Sequence, residues 1–255
     1  MRIVCLSAEA ADICARIGAW PEVVAVSAFA PQEGLDPRPV AGGFSTGDCE
    51  RVAGFAPDLV ITFSDVQADL TAQLVRAGCA VLATNQRSLT EIAQTIRLIG
   101  GAVGRTREAA QLADEFSDAL DALRCAAEPR PCVYFEEWFD PMISGIAWVG
   151  ELIELCGGID LFRSRRGKAA RERRLDSGEV IAANPDIILA SWCGKPVNLD
   201  AIRRRPGFDA IKAVRDDEVH ALDSDVILQP GPRVLEGAGV MRRLFDGWRA
   251  RCAVA

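Results

Sequence analysis

Residues 88–127 read SLTEIAQTIRLIGGAVGRTREAAQLADEFSDALDALRCAA, and they hold no strand pattern. Leu89, Ile92, Ile96 and Ile99 recur at helical spacing. After Gly100-Gly101 the pattern resumes, with Ala109, Leu112, Ala113, Phe116, Leu120 and Leu123 on one face. This predicts a helix of about 22 residues, more than about 30 Å long, enough to cross a whole lobe. On either side of it, short apolar runs alternate with amphipathic stretches.

Upstream, strands are predicted over 2–7, 23–27, 59–63 and 80–83. Helices are predicted over 8–17, 49–55 and 69–77, the last closed by Gly78. Residues 31–47, rich in Pro and Gly, read as loop. Downstream, strands are expected over 132–135, 187–190 and 218–222. Helices are expected over 148–156, 177–183, 199–204 and 232–249. Strand and helix alternating at this spacing give parallel α/β sheets. The two halves also share a short repeat: 50–61 reads ERVAGFAPDLVI and 179–188 reads EVIAANPDII. In each a Glu opens a short helix, Pro ends it and Asp leads into a buried strand. The expected organisation is therefore an N-terminal lobe over 1–87, an inter-lobe helix over 88–128 and a C-terminal lobe over 129–255.

Composition removes several function classes. The 255 residues are 49% hydrophobic and 25% charged, ordinary for a globular chain. A net charge of −7 argues against a nucleic-acid binder that relies on its overall field. The single histidine, His220, leaves little room for a zinc site, and there is no G-x-S-x-G elbow. Glu136-Glu137 and Asp216-Asp217 are paired acids, but adjacent side chains point in different directions. GGAVG lies between helices, so it is no phosphate loop. No catalytic constellation and no metal site is predicted. No apolar run reaches the roughly 18 residues that spanning a membrane requires. The nine cysteines form no C-x-x-C motif and read as buried thiols in a reducing compartment. The first residues read as a strand rather than a leader. Both features give a cytoplasmic expectation, with a periplasmic location as the alternative if a leader has been trimmed.

Over nearly its whole length the sequence resembles the periplasmic-binding-protein family of cobalamin and iron-siderophore ABC importers. The resemblance rests on the order of RIVCLSAEAADICARIGAWPEVVAVS, ERVAGFAPDLVI, TEIAQTIRLIGGAVGRTREAAQLADEF, WVGELIELCGGIDLF, EVIAANPDIIL and QPGPRVLEGA. FEEWFDP ahead of WVGELIELCGG is most similar to the cobalamin-binding members. The resemblance implies two Rossmann-like lobes with a shallow cleft, joined by a single helix. It implies no intrinsic cofactor and no enzyme activity, with a corrinoid or similar large metal chelate as ligand and a ferric siderophore as the alternative. It further implies an ABC permease as partner, met by one carboxylate per lobe: Glu50 in DCERVAGF and Glu179 in DSGEVIAA. Other readings are a cytoplasmic relative that senses, buffers or delivers the ligand, and an enzyme subunit on the same scaffold.

Ligands of open α/β sheets bind at the carboxyl ends of the strands. The residues expected there are Phe29, Phe44 and Phe63 in the first lobe and Trp138 and Trp192 in the second. Aromatic faces cover a large, flat ligand at low entropic cost. Trp148, on a helix, reads as core. Where related cobalamin binders carry an aromatic six residues before the second docking Glu, this sequence has Arg173. It lies in RSRRGKAARERR, residues 163–174. With Arg233, in PGPRV, Arg173 is expected to favour an anionic ligand through guanidinium forks.

Overall fold

The structure is a computed structural model that describes residues 1–167 and 169–253. The chain falls into two compact units. One comprises Met1–Gln86, Thr90–Ser117 and Pro230–Pro232; the other comprises Arg87–Leu89, Asp118–Gln229 and Arg233–Ala255.

In the first unit β1 (Ile3–Cys5), β2 (Val23–Ser27), β3 (Val40–Gly42), β4 (Leu59–Phe63) and β5 (Val81–Thr84) form a sheet of order β3-β2-β1-β4-β5. All its pairings are parallel. Helices α1 (Ala8–Arg16), α2 (Cys49–Gly54) and α3 (Ala68–Arg76) connect the strands. The central strands IVC and LVITF are apolar on both faces because both faces are covered. Val4, Leu6, Ala25, Val52, Val60 and Leu74 form one core cluster. The strand β3 lies inside the stretch expected to be loop. Three residues among prolines and glycines leave no alternation to read, and only the pairing of Val26 with Val40 and Ser27 with Gly42 makes it a strand.

The stretch 88–127 holds two helices, and the break between them is displaced from the expected glycine pair. Helix α4 (Leu89–Ala102) runs through Gly100-Gly101, and α5 (Thr106–Ala122) starts after Val103-Gly104-Arg105. Gly104 takes φ +71°, and Arg105 N–H donates to Gly100 O at 2.7 Å. Gly100 has another role. A Cβ built on it would sit 2.0 Å from Ala109 Cβ, so it is the point where α4 and α5 touch. Arg97 and Asp114 close the same hairpin at 2.5 Å. The 17 residues of α5 span about 26 Å; this helix starts in the first unit and ends in the second.

In the second unit β6 (Cys132–Trp138), β7 (Ile143–Ser144), β8 (Ile159–Asp160), β9 (Ile187–Ala190) and β10 (Val219–Ala221) build a sheet of order β10-β9-β6-β7, with β8 also on β6. The pairings are parallel except that β7 runs antiparallel to β6, which departs from the purely parallel expectation. The short β7 returns directly after β6, as only an antiparallel partner can. Helices α6 (Ala147–Leu155), α7 (Ser177–Ala183), α8 (Leu199–Arg203), α9 (Lys212–Arg215), α10 (Ser224–Ile227) and α11 (Val234–Cys252) complete it. Tyr134, Ile188, Ile202, Phe208, Ile211 and Val219 lie in its core. Trp148 is buried, its indole donating to Ile227 O at 2.9 Å.

The repeat read from the sequence folds the same way twice. Asp48 and Asp176 cap α2 and α7 through their side chains. Each helix is followed by a residue in the left-handed region, Ala56 (φ +47°) and Asn184 (φ +44°). Each Asp after the Pro then ties down the start of a central strand. Arg2 N–H donates to Asp58 Oδ2 at 2.7 Å, and Cys132 N–H donates to Asp186 Oδ2 at 2.9 Å. In return Asp58 N–H donates to Arg2 O and Asp186 N–H to Cys132 O, both at 2.8 Å. Asn tolerates the left-handed region better than Ala does. Ala56→Gly should therefore raise stability by about 1 kcal/mol, read as a shift of the urea midpoint at unchanged slope.

Candidate functional site

The strand order of the first sheet reverses between β1 and β4, which marks the carboxyl edge where ligands of such sheets sit. Gln67 organises this edge. Its Nε2 donates to Leu6 O (2.8 Å) and Phe44 O (2.9 Å), and its Oε1 accepts from Phe63 N–H (2.9 Å). One buried amide thus fastens the ends of β1 and β4 to the loop after β3. The Phe44 and Phe63 rings meet at 6.3 Å. Phe63 is 3% exposed and Phe29 is 43% exposed, so Phe29 offers the open face. Ser64, next to Phe63, holds φ +61° and ψ −179°, a region that glycine normally occupies. Strain of this kind collects where a fold positions a site. Sequence reading missed Gln67, since nothing in VQADL distinguishes a buried amide from a surface one.

In the second unit the end of β6 presents Glu136 and Glu137 to opposite faces, and each carboxylate meets its own arginine. Glu136 is fully buried and takes Arg205 Nη1 at 2.6 Å, Nη2 at 3.3 Å and the Tyr134 hydroxyl at 3.1 Å. Burial pushes its carboxyl above the usual value, and Arg205 restrains that rise. Burial, with the Glu136 charge behind it, also drives the Tyr134 phenol well up. The Arg205 guanidinium lies 4.4 Å from the Phe139 ring and 4.8 Å from the Phe208 ring. This buried pair forms the floor of an aromatic wall. Phe139 packs on Trp192 at 5.3 Å. Trp192 Nε1 has no hydrogen-bond partner of good geometry, although it lies close enough to Glu136 to help hold its charge.

Trp138, Phe139, Asp140, Trp192 and Lys195 line a recess of about 240 Å³. A second hollow of about 380 Å³, from Gly194–Val197 to Ala221–Ser224, shares Lys195 with it. The structure thus brings the two predicted tryptophans together and adds Phe139 and Lys195. Phe139 was legible beside Trp138. Lys195 was not, because a turn delivers it: Lys195 N–H donates to Trp192 O at 3.1 Å and Gly194 takes φ +69°.

The predicted charged residues are placed differently. Arg173 is 2% exposed. It clasps Glu137 at 2.5 and 2.9 Å and donates to Ser144 O at 2.6 Å, so both of its Nη atoms are already engaged. Glu137 in turn accepts from Ile146 N–H at 3.0 Å. Arg233 is partly exposed and lies 3.5 Å from Glu236. Along the basic stretch, Arg166 turns inward to Asp160 (2.7 Å) and Glu154 (3.2 Å), and Arg163 lies 3.4 Å from Glu154. Arg165 pairs with Glu179, which also closes a capping box with Asp176. Lys168 lies outside the described residues. The stretch is thus anchored by Arg166 and Arg173, with Arg171 and Arg174 left on its surface. Glu50 is exposed near the start of α2, with no ion-pair partner among the described residues.

His220 lies in β10, its Nε2 2.8 Å from Glu218 Oε2. Among the described residues no cluster of three or more His, Cys, Asp or Glu could hold a metal ion. All nine cysteines are free thiols. Burial pushes the Cys156 thiol up to about 12. No helix of the described residues is long and apolar enough to cross a membrane.

A family model described as periplasmic binding protein matches residues 3–226. The vitamin B12-binding protein of Vibrio cholerae serotype O1 is 26% identical over 243 residues, covering 92% of this chain and 85% of its own. The ABC transporter substrate-binding lipoprotein YvrC of Bacillus subtilis is 27% identical over 249 residues, covering 92% and 77%. Among solved structures, the periplasmic heme-binding protein RhuT of Roseiflexus sp. RS-1 superposes with TM-score 0.83 at 25% identity, covering 97% of this chain and 98% of its own. The periplasmic vitamin B12-binding protein BtuF of Vibrio cholerae gives TM-score 0.77 at 23% identity, with 97% of each chain covered. Two α/β units with aromatic rings at the carboxyl ends of their strands, and a family match over most of the length, lead to one conclusion: this chain belongs to the periplasmic binding protein family.

Proposed function

We propose that this chain is the ligand-capturing protein of an ABC importer and that its ligand is a corrinoid or a similar large metal chelate. The observation that carries the reading is the recess walled by Trp138, Phe139 and Trp192. Flat aromatic walls suit a flat, partly apolar ligand, because they supply contact area with few torsions to freeze. In this reading Phe29, Phe44 and Phe63 are the ligand-binding residues of the first unit, and Arg233 is one of the second. Arg173 acts from behind, by fixing Glu137. Neither Tyr134 nor His220, two of the usual protein ligands of haem iron, lines the recess. That favours a chelate that carries its own axial ligands, as a corrinoid does. In this reading the site serves binding and release.

Glu50 and Glu179 are the proposed permease-docking carboxylates. They set orientation and encounter rate more than affinity. Glu50 is free to do so, whereas Glu179 must share its charge with Arg165. The proposed place of work is outside the cytoplasmic membrane, supported by the periplasmic and lipoprotein designations of the relatives. Of the free thiols, Cys5, Cys14 and Cys156 are buried, whereas Cys193 and Cys252 are exposed.

The test is retention. Purified protein is incubated with hydroxocobalamin, haemin or a ferric siderophore and then desalted. Corrin absorbance should co-elute with the chain at about one equivalent. Loss of every one of these chromophores on desalting overturns the reading.

A further inference from the structure

The arginines near the second unit's candidate site are already matched to carboxylates: Arg173 to Glu137, Arg205 to Glu136 and Arg233 to Glu236. Lys195 is different. It lines both hollows, and its ammonium has no ion pair among the described residues. Its position is set by the turn from Trp192, which also pairs Trp192 with Lys195 as an antiparallel bridge. The ammonium lies 4.7 Å from the centroid of the Trp138 ring. At an exposed site such a contact is weak and yields readily to an anion. Asp140 and Asp223 border the hollows, but neither neutralises Lys195.

We infer that Lys195 is a specificity-determining residue that selects a ligand bearing a carboxylate or phosphate at its rim. The inference rests on the chelate-binding reading above and adds the charge of the ligand to it. Trp138, Phe139 and Trp192 take the flat face. Lys195 takes an acidic group at the edge, at the mouth of the larger hollow. An ammonium on a flexible stem suits this task, since it reaches a point charge without a fixed fork geometry. The anion selectivity that the sequence suggested for Arg173 thus passes to a residue whose charge is unspent.

The experiment uses two matched pairs of probes: cyanocobalamin against its monocarboxylic acid derivative, and haemin against haemin dimethyl ester. Each is titrated into wild type, Lys195→Gln and Lys195→Arg. Wild type should prefer the acid of whichever pair it binds by about 5-fold. Lys195→Gln should weaken the acid more than the neutral member and so abolish the preference, and Lys195→Arg should restore it. Raising the salt concentration should erode the preference in wild type and in Lys195→Arg alike. Equal weakening of both members by Lys195→Gln, or a preference that survives it, overturns the assignment while leaving chelate binding intact. Failure of wild type to bind either pair overturns the assignment too, and retention of no chelate at all is what overturns the broader reading.

Discussion

Replacing Arg205 with alanine should destabilise the second unit by about 3–5 kcal/mol. The side chain is 8% exposed and its carboxylate partner, Glu136, is fully buried. Removing one member of a buried pair strands the other charge in a medium that solvates it poorly. The loss includes packing, since the guanidinium fills the slot between Phe139 and Phe208. Arg205→Met separates the two effects, because it refills the slot without the charge. Glu136→Gln combined with Arg205→Met should recover most of the loss, and the double-mutant cycle reads the coupling. The pH dependence has a definite sign. Burial raises the Glu136 carboxyl in the folded state, so the folded chain binds more protons than the unfolded one between the ordinary carboxylate value and the raised one. Stability from this group therefore falls as pH rises through that window. Without Arg205 the carboxyl moves higher still. The penalty of Arg205→Ala should be largest above that window and shrink as the pH falls through it and Glu136 takes up its proton. Urea unfolding followed by tryptophan emission measures it, since four of the five tryptophans, Trp138, Trp148, Trp192 and Trp248, belong to this unit.

The second large effect lies in the helix pair and reverses sign between neighbouring residues. Gly100→Ala should cost about 2 kcal/mol, the net of overpacking against a gain in helix propensity. Its Cβ would fall 2.0 Å from Ala109 Cβ and 3.0 Å from Arg105 O, and neither can move without parting the helices. Gly101→Ala, one residue on, meets nothing within 4 Å and should gain about 1 kcal/mol from propensity alone. Far-UV circular dichroism in urea checks both. Equal shifts for the two variants would contradict the contact.

These residues also show how far the sequence could be read. Apolar runs such as LVITF and IILA announce buried parallel strands because tertiary context leaves them no other place. The Pro-Asp turns were legible because Pro stops a helix wherever it falls. Gly100-Gly101 misled for a physical reason: glycine marks both a helix end and a close helix contact, and only the partner helix decides which. The strands β3, β7 and β8 are two or three residues long and are made by pairing rather than by composition. At the site the tryptophans could be foreseen from their place after strands. The fates of Arg173 and Glu179 could not, because a run of charges does not reveal which members turn inward. Arg166 and Arg173 do so, to acids distant in sequence. Lys195 escaped notice because a backbone turn, not the local pattern, carries it to Trp138.

The central claim is that the aromatic wall of the second unit receives a flat metal chelate. Equilibrium dialysis against hydroxocobalamin tests it most directly, with wild type, Trp138→Ala, Trp192→Ala and, as a control remote in sequence, Trp20→Phe. The account predicts saturable binding by wild type and by Trp20→Phe. Each recess variant should weaken it by about 30-fold, as removal of a buried aromatic anchor does. Binding by both recess variants that matches wild type would contradict the account.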